Sequence, residues 1–512
     1  MAQVLISPVP KILSHFRFIL TLRSEEGKYH SLILFRLSPS PSLVYQESDN
    51  GVGRKVESDA LGSASNRQIY VMEATCPHLG AEMSHADIEE YEDSVVAVCP
   101  WHRYDFDLKT GKSETGLRTC TYAVQIKTDQ GTGDEQVWME APDGGRNWRV
   151  VELRPVSEEF ADPPPLLKRA SADSGDGHVA PQEELEPIVP EENPPKTLME
   201  WAVLILNTPN PTLKVERTRY AVNAFRTGAI TSIGHKAAHP PVPPAKPSRE
   251  AYMKIVQPGK IQSGKRRNRV VMLHALANIE QWAIDLAWDI MARFGPMHKD
   301  LPPAFFSDFT KMALDESKHF SLLRARLSAF STPYGSLPVH ASLWDSATLT
   351  SRSLLSRLAI IHLVHEARGL DVNPKTIEKF RKAGDKDSVD VMEVIHADEV
   401  THVTAGHRWF VWMCEKQRQW DGSDMDPIQV FRDEVRRCWR GDIKGPFNIE
   451  DREKAGLSKE FYEDLKGEMP FDNDEDEVRS TSKNTTSSLK TDGAVNVKSV
   501  QQEPTTRVEY ES

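Results

Sequence analysis

The sequence predicts a multidomain protein, an all-β domain followed by an all-α four-helix bundle, and three observations carry that prediction. Between residues 12 and 155, short runs of β-branched and aromatic residues alternate with polar or Gly-containing segments. From residue 197 onward the apolar residues recur with a helical period instead. Within that second half one motif occurs twice, as Asp315-Glu316-Ser317-Lys318-His319 and Asp398-Glu399-Val400-Thr401-His402. A chain of 512 residues is too long for one core. The predicted division is a β domain at 12–155, a Pro-rich acidic linker at 156–196, a helical bundle domain at 197–440 and a disordered acidic, Ser/Thr-rich tail at 470–512.

Bulk composition narrows the function. The net charge of −12, from 63 basic and 75 acidic residues, argues against a general nucleic-acid binder. With 39% hydrophobic and 27% charged residues the composition is that of a globular protein with disordered additions. No apolar run approaches the ~18–20 residues that cross a bilayer, so no membrane association is expected. Met1 to Arg23 holds Lys11, Arg17 and Arg23 and no acid, but His15–Leu22 alternates as a first strand does, which favours a strand over a transit peptide. Five cysteines without a regular framework point to a reducing compartment, and cytoplasm is the expected location.

In the β region the strand-like runs are Ser31–Phe35, Gln68–Met72, Ser94–Val98 and Tyr122–Ile126, with a long Ser- and Gly-rich loop expected over 37–66. Cys76-Pro77-His78 and Cys99-Pro100-Trp101-His102 lie twenty residues apart in this region. Two thiolates and two imidazoles suit either a Cys2His2 zinc site or an iron–sulfur cluster. Leu79-Gly80-Ala81 after the first pair, and Tyr104-Asp105-Phe106-Asp107 with Thr110-Gly111 after the second, favour the cluster. With these residues the region resembles the Rieske family, in its soluble ferredoxin-like and oxygenase-type domains. The resemblance implies a [2Fe-2S] cluster with Cys76 and Cys99 on one iron and His78 and His102 on the other. Neutral imidazoles in place of two thiolates raise the potential into a range of about −150 to +300 mV. Only Cys120 lies near the cluster loops, where high-potential members carry an extra Cys pair, so the lower end is expected.

The linker, with Pro163-Pro164-Pro165, Pro181, Pro187, Pro190 and Pro194-Pro195 among acids, reads as an extended tether spanning on the order of 35 Å. Residues 197–233 read as helical, with Leu198, Trp201, Ala202, Ile205 and Leu206 on one face. A basic strip at 260–269, containing Lys265-Arg266-Arg267, suits a phosphate patch for RNA less well than a solvated connector, because no aromatic residues interleave the charges.

The bundle carries the chemistry. Glu280 shares a face with Leu273, Leu276, Ala277, Ala283, Ile284 and Ala287. Glu316 and His319 share one with Phe309, Met312, Ala313, Leu322 and Leu323. Glu366 follows Leu355, Leu358, Ala359 and Leu363, while Glu399 and His402 align with Val391, Met392, Ile395, Val403 and Phe410. A carboxylate on a buried stripe costs several kcal/mol unless neutralised. Residues i and i+3 are neighbours on a helix, so each Glu-x-x-His pair reaches one metal. The order Glu, Glu-x-x-His, Glu, Glu-x-x-His is the ligand set of a carboxylate-bridged di-metal site, with Glu280 and Glu366 completing or bridging it. Four carboxylates and two imidazoles suit Fe(II) better than Ca or Mg. Asp315 and Asp398 are expected acceptors for a ligand His N–H. His274, His362, His365 and His407 are assigned to ordinary core or surface positions. Glu393-x-x-His396 is a competing pair, set aside because 399/402 repeats the full Asp-Glu-x-x-His form; His396 is expected to support a ligand from one turn away. Pro427–Trp439 is expected to form a further short helix.

With His274–Ala287, Asp315–Phe320, Glu366–Val372 and Asp398–Val403 in view, residues 196–420 resemble a ferritin-like family of bacteria and fungi whose relatives include di-iron tRNA hydroxylases. The resemblance implies a di-iron site and names no substrate. The two sites together predict an O2-dependent di-iron monooxygenase with a built-in Rieske donor, acting on a small molecule. Nothing resembles a flavin or nicotinamide site, since Gly131-Thr132-Gly133 does not open a helix, so an external reductase is implied. The alternatives are a di-iron oxidase or desaturase, an RNA-modifying hydroxylase, and a non-enzymatic iron or redox sensor.

Overall fold

A computed structural model describes residues 2–13, 15–37, 68–91, 94–156, 186–257, 269–423 and 425–469. The tail from 470, the loop at 38–67, linker residues 157–185 and the basic strip at 260–268 lie outside the described residues.

Strands β1 (Gln3–Pro8), β2 (Arg17–Arg23), β3 (Tyr29–Leu37), β4 (Gln68–Glu73), β5 (Asp87–Glu90), β6 (Val95–Val98), β7 (Asp105–Asp107), β8 (Thr121–Tyr122), β9 (Val124–Thr128), β10 (Glu135–Glu140) and β11 (Arg149–Pro155) build the first half. They form antiparallel sheets in the orders β11-β2-β3-β4-β8, β1-β10-β9 and β5-β6-β7. The sheet begins before the predicted start at residue 12, because β1 pairs with β10. The predicted strand Tyr122–Ile126 divides at Ala123: Tyr122 pairs with β4, and Val124 with β10. Val4, Phe18, Leu20, Leu32, Leu34, Val71, Val137 and Met139 fill one core, and a second core of Phe35, Met72, Met83, Ala97 and Phe106 lies beneath Cys76 and Cys99.

In the second half the helix predicted over 197–233 is two, α1 (Leu198–Leu206) and α2 (Pro211–Arg226). Pro209 and Pro211 interrupt the helical path, and Asn210 caps α2 by accepting from the backbone N–H of Thr212 and Leu213. Helix α3 (Arg269–Phe294) packs along α4 (Pro303–Ala329). Short helices α5 (Ser342–Leu349) and α6 (Leu354–Arg357) lead into a π-helical segment, Leu358–His365, continued by α7 (Glu366–Lys382), which packs along α8 (Lys386–Asp421). Pro374 interrupts the bond to the Leu370 carbonyl in α7, and the Asn448 side chain donates to that carbonyl instead, at 3.2 Å. Helices α9 (Pro427–Cys438), α10 (Ile449–Lys454) and α11 (Lys459–Tyr462), with the paired strands β12 (Arg440–Asp442) and β13 (Lys466–Glu468), cover one end. No helix among the described residues is long and apolar enough to cross a membrane.

The β sheets and the bundle form one unit, Met1–Met469. Trp101, between Cys99 and His102, donates its indole N–H to the Phe225 carbonyl at 3.0 Å and packs on the Phe225 ring. Glu82 pairs with the buried Arg226. Gly80, at φ +76°, lies so close to Pro303 that an added Cβ would stand 2.6 Å from the proline ring. Helix α4 starts at Pro303, so at 1.5 Å per residue Glu316 lies about 20 Å further along the same helix. Farther along the interface Lys311 pairs with Glu152, and Arg408 donates to Ser31 and Asp308 at 2.8 and 3.1 Å.

Candidate metal centres

The two loops, Cys76-x-His78 and Cys99-x-x-His102, share one local geometry. In each, the backbone N–H four residues after the cysteine returns to the cysteine carbonyl, from Gly80 to Cys76 at 2.9 Å and from Arg103 to Cys99 at 3.0 Å. Both closing residues are left-handed, Gly80 at no steric cost and Arg103 at φ 60° with its guanidinium anchored on Asp87 and Glu89. The loops place Cys76 against Cys99, where hydrogen bonding from Cys76 brings the Cys99 thiol down to about 6. The His78 and His102 rings stand 4.9 Å apart, and the buried Nδ1 of His78 has no hydrogen-bond partner. Cysteines pair with cysteines and histidines with histidines, the arrangement a two-iron cluster asks for. A zinc site would draw all four donors around one ion. Among the described residues, the groups in which three or more such donors converge within 4.8 Å are both in the bundle.

Those two groups are Glu280, Glu316, His319 and Glu399, and Glu316, Glu366, Glu399 and His402. The structure thus gathers all six side chains, and it assigns the shared positions to Glu316 and Glu399. Glu280 and Glu366 each belong to one group only, which agrees with the first of the two expected roles, completing the site, rather than with bridging it. All are buried except the half-buried Glu366. His319 Nδ1 lies 3.4 Å from both Glu280 and Glu316, and His402 Nδ1 lies 3.0 Å from Glu316 and 3.8 Å from Glu399. Despite this proximity, both oxygens of Glu316, Oε2 of Glu399 and both Nδ1 atoms lack hydrogen bonds. Buried polar atoms without partners cost about 1–3 kcal/mol each. Their convergence fits a pair of divalent cations.

The imidazoles are held from behind, and crosswise. His319 Nε2 lies 2.9 Å from Asp398 and His402 Nε2 3.3 Å from Asp315, so each motif's aspartate orients the other motif's histidine. Burial, then the neighbouring Glu316, pushes the Glu280 carboxyl well above the usual carboxylate range; burial and then Glu399 do the same to Glu366. Burial opposes charge on both histidines, yet Asp398 beside His319 and Glu316 beside His402 raise both well above the ordinary imidazole value. Without metal, this environment favours the protonated forms of these four groups.

A pH dependence follows. For groups whose folded-state values are raised, the stabilisation is complete below their unfolded values, about 4.3 for Glu and 6.5 for His, and is lost as pH rises through the folded values. Metal takes the place of the protons and removes that loss. Calorimetry is therefore expected to show a Tm gap between metal-loaded and chelated protein that widens from about pH 6 to about pH 8, with protons released on metal binding. A gap that narrows with pH would contradict this charge assignment.

Sequence reasoning missed the π-helical segment that sets the phase of Glu366. Such segments cluster at functional sites. It also placed His362 among histidines with ordinary partners; both ring nitrogens of this buried residue lack one, and burial lowers it to about 3. Gly406 permits the close approach, since a Cβ there would stand 2.6 Å from His362 Cβ. Gly406→Ala is expected to destabilise the protein by about 1–2 kcal/mol, overpacking outweighing the gain in helix propensity. A denaturant midpoint that stays at the wild-type value would contradict the close packing. The other histidines are accounted for: His274 accepts from the Gly335 N–H, His365 contacts Ser346, and His407 contacts Tyr29. His396 turns away to Asp451, and Glu393 pairs with the exposed Arg381, so the competing pair is not gathered with the six.

Comparisons with known proteins divide the chain in the same place. Residues 42–123 match the Rieske [2Fe-2S] domain, and residues 207–463 match the family described as protein of unknown function, DUF455. An uncharacterized protein of Haemophilus influenzae is 33% identical over 190 residues, covering 36% of this chain and 64% of that protein. A Rieske domain-containing protein of Homo sapiens is 36% identical over 45 residues, 9% of this chain and 29% of that protein. The chain thus spans less than two thirds of the length of either relative. A solved structure assigned as the small subunit of an NADH-dependent nitrite reductase from Mycobacterium tuberculosis aligns over 28% of this chain and 97% of its own, at 15% identity and a TM-score of 0.18. The β region is a Rieske [2Fe-2S] domain with an electron-transfer role, the helical region extends beyond it over half of the sequence, and the chain belongs to the DUF455 family.

Proposed function

We propose that the chain is a di-iron oxygenase with its own Rieske electron donor, using O2 to hydroxylate or N-oxygenate a small molecule. The observation that carries this reading is the path between the two centres: the loop carrying Cys76 and His78 packs through Gly80 on the first residue of α4, and the same helix supplies Glu316 and His319. Bound there, a ferrous pair supplies O2 activation and the cluster supplies electrons singly.

The chain's own groups do the rest. Glu280 with His319, and Glu366 with His402, would each hold one ion, and Glu316 and Glu399, which belong to both donor groups, would be available to both. Asp398 and Asp315 fix the imidazole tautomers through the Nε2 hydrogen bonds. Burial of the cluster keeps bulk water from the reacting centre. Cys76, Cys99, His78 and His102 hold the iron–sulfur cluster, and the exposed His102 and Leu79 form the rim at which an external reductase delivers electrons. RNA has no part in this reading; the basic strip that suggested it lies outside the described residues.

Iron and acid-labile sulfide per chain, measured on anaerobically purified protein with electron paramagnetic resonance before and after dithionite, test the proposal. About four irons and about two sulfides with a Rieske signal are expected, together with steady O2 consumption under reduction. About two irons with that signal would sink the di-iron half, and zinc without sulfide would sink the donor half.

A further inference from the structure

We infer that Arg154, on the last strand of the Rieske domain, is a positioning residue of the bundle's metal centre, so that docking of the donor domain sets the poise of the acceptor. This deepens the di-iron reading and rests on it. The Arg154 side chain is 9% exposed and grips the fully buried carboxylate of Asp315 with two N–H groups, one at 2.6 Å. Its Nη1 also lies 3.9 Å from Asp398. These two aspartates are the groups that hold His402 and His319 from behind. A fork-shaped guanidinium against a carboxylate fixes orientation as well as charge, which a lysine cannot reproduce.

Charge gives the second argument. Glu280, Glu316, Glu366, Glu399, Asp315 and Asp398 bring six negative charges to one buried region. Two ferrous ions cancel four of them, and the remaining two are matched by Arg154 and by Lys318, whose Nζ lies 2.8 Å from Asp398 and 3.6 Å from Asp315. Lys318 belongs to the bundle itself. Arg154 belongs to the electron-donor domain, so docking of that domain supplies one of the two cations in direct contact with these aspartates. An interface salt bridge that merely joined the domains would need no such partner. Lys311–Glu152 and Arg226–Glu82 are of that plainer kind, because neither acid touches a metal-facing histidine in the contacts described.

Removing the cation leaves the reduced site with an unbalanced negative charge and favours the oxidised ions. The transfer at stake is one electron, from the reduced cluster to a ferric ion of the pair. The test uses the iron-loaded full chain as wild type, Arg154→Gln, Arg154→Lys and the interface control Lys311→Met. Each is titrated anaerobically while the Rieske signal and the Mössbauer spectrum of the iron pair are followed. In Arg154→Gln the equilibrium distribution of electrons is expected to shift toward the cluster on the order of tenfold, with the Rieske signal intact. Arg154→Lys keeps the charge but not the two-pronged grip and is expected to shift the distribution less than Arg154→Gln, while Lys311→Met stays near wild type. An unchanged distribution in Arg154→Gln, or an equal shift in Lys311→Met, overturns the inference. A wild-type chain holding cluster iron alone overturns the di-iron reading first, and this inference falls with it.

Discussion

In Glu316→Ala the bundle is expected to lose its metals while the Rieske signal remains at full strength. Glu316 belongs to both donor groups, and its two oxygens are buried without hydrogen-bond partners. Residues that only support a ligand from behind already cost about 10–100-fold in metal affinity when removed, so a carboxylate that belongs to both donor groups is expected to cost at least the upper end of that range. Loss of one negative charge also leaves His319 and His402 without a neighbour that each faces within 3.4 Å. Iron content falling from about four to about two per chain, with O2 consumption at background, is the expected result. Retention of the full iron content and of O2 consumption would show that the carboxylate cluster is not the catalytic centre.

Cys99→Ser is expected to have the complementary effect. Cys99 is fully buried, its backbone closes the loop on Tyr104 at 2.7 Å and on Arg103 at 3.0 Å, and its sulfur lies against Cys76. A serine hydroxyl does not ionise as the thiolate does, and iron–sulfur clusters depend on that thiolate. Sulfide and the Rieske signal are expected to vanish, and O2 consumption driven through an external reductase to fall to background. The bundle, whose ligands lie at the far end of an α4 segment of about 20 Å, is expected to keep its iron. If reductase-driven turnover survived in this variant, electrons would reach the bundle without the Rieske domain. The two substitutions together separate donor from acceptor.

Much of this arrangement was legible in the sequence because it is local. A Cys-x-His pair closed by a turn, or a Glu-x-x-His pair on one helical face, brings its side chains together within a few residues, and the backbone alone decides the geometry. Helix limits marked by proline were less legible. Pro209 and Pro211 divide α1 from α2, whereas Pro374 is absorbed within α7 because Asn448 takes up the freed carbonyl. That compensation comes from a residue with no local relation to the helix. The π-helical segment before Glu366 was hidden for the same reason, since its apolar residues read equally well at the α-helical period.

By itself, the sequence determined the classes of the two halves, the Cys and His pairs, and the repeated acidic motif, all of which follow from spacing and side-chain chemistry. Tertiary structure alone decided which carboxylates are shared between the two donor groups, that each aspartate serves the opposite histidine, and that the first cluster loop rests on the start of α4. It alone brought Arg154 to Asp315 across 161 positions of the chain. Contacts of that kind arise when two folded surfaces meet, and a buried ion pair is then selected by the shape and charge of both surfaces at once. No periodicity in either segment records it.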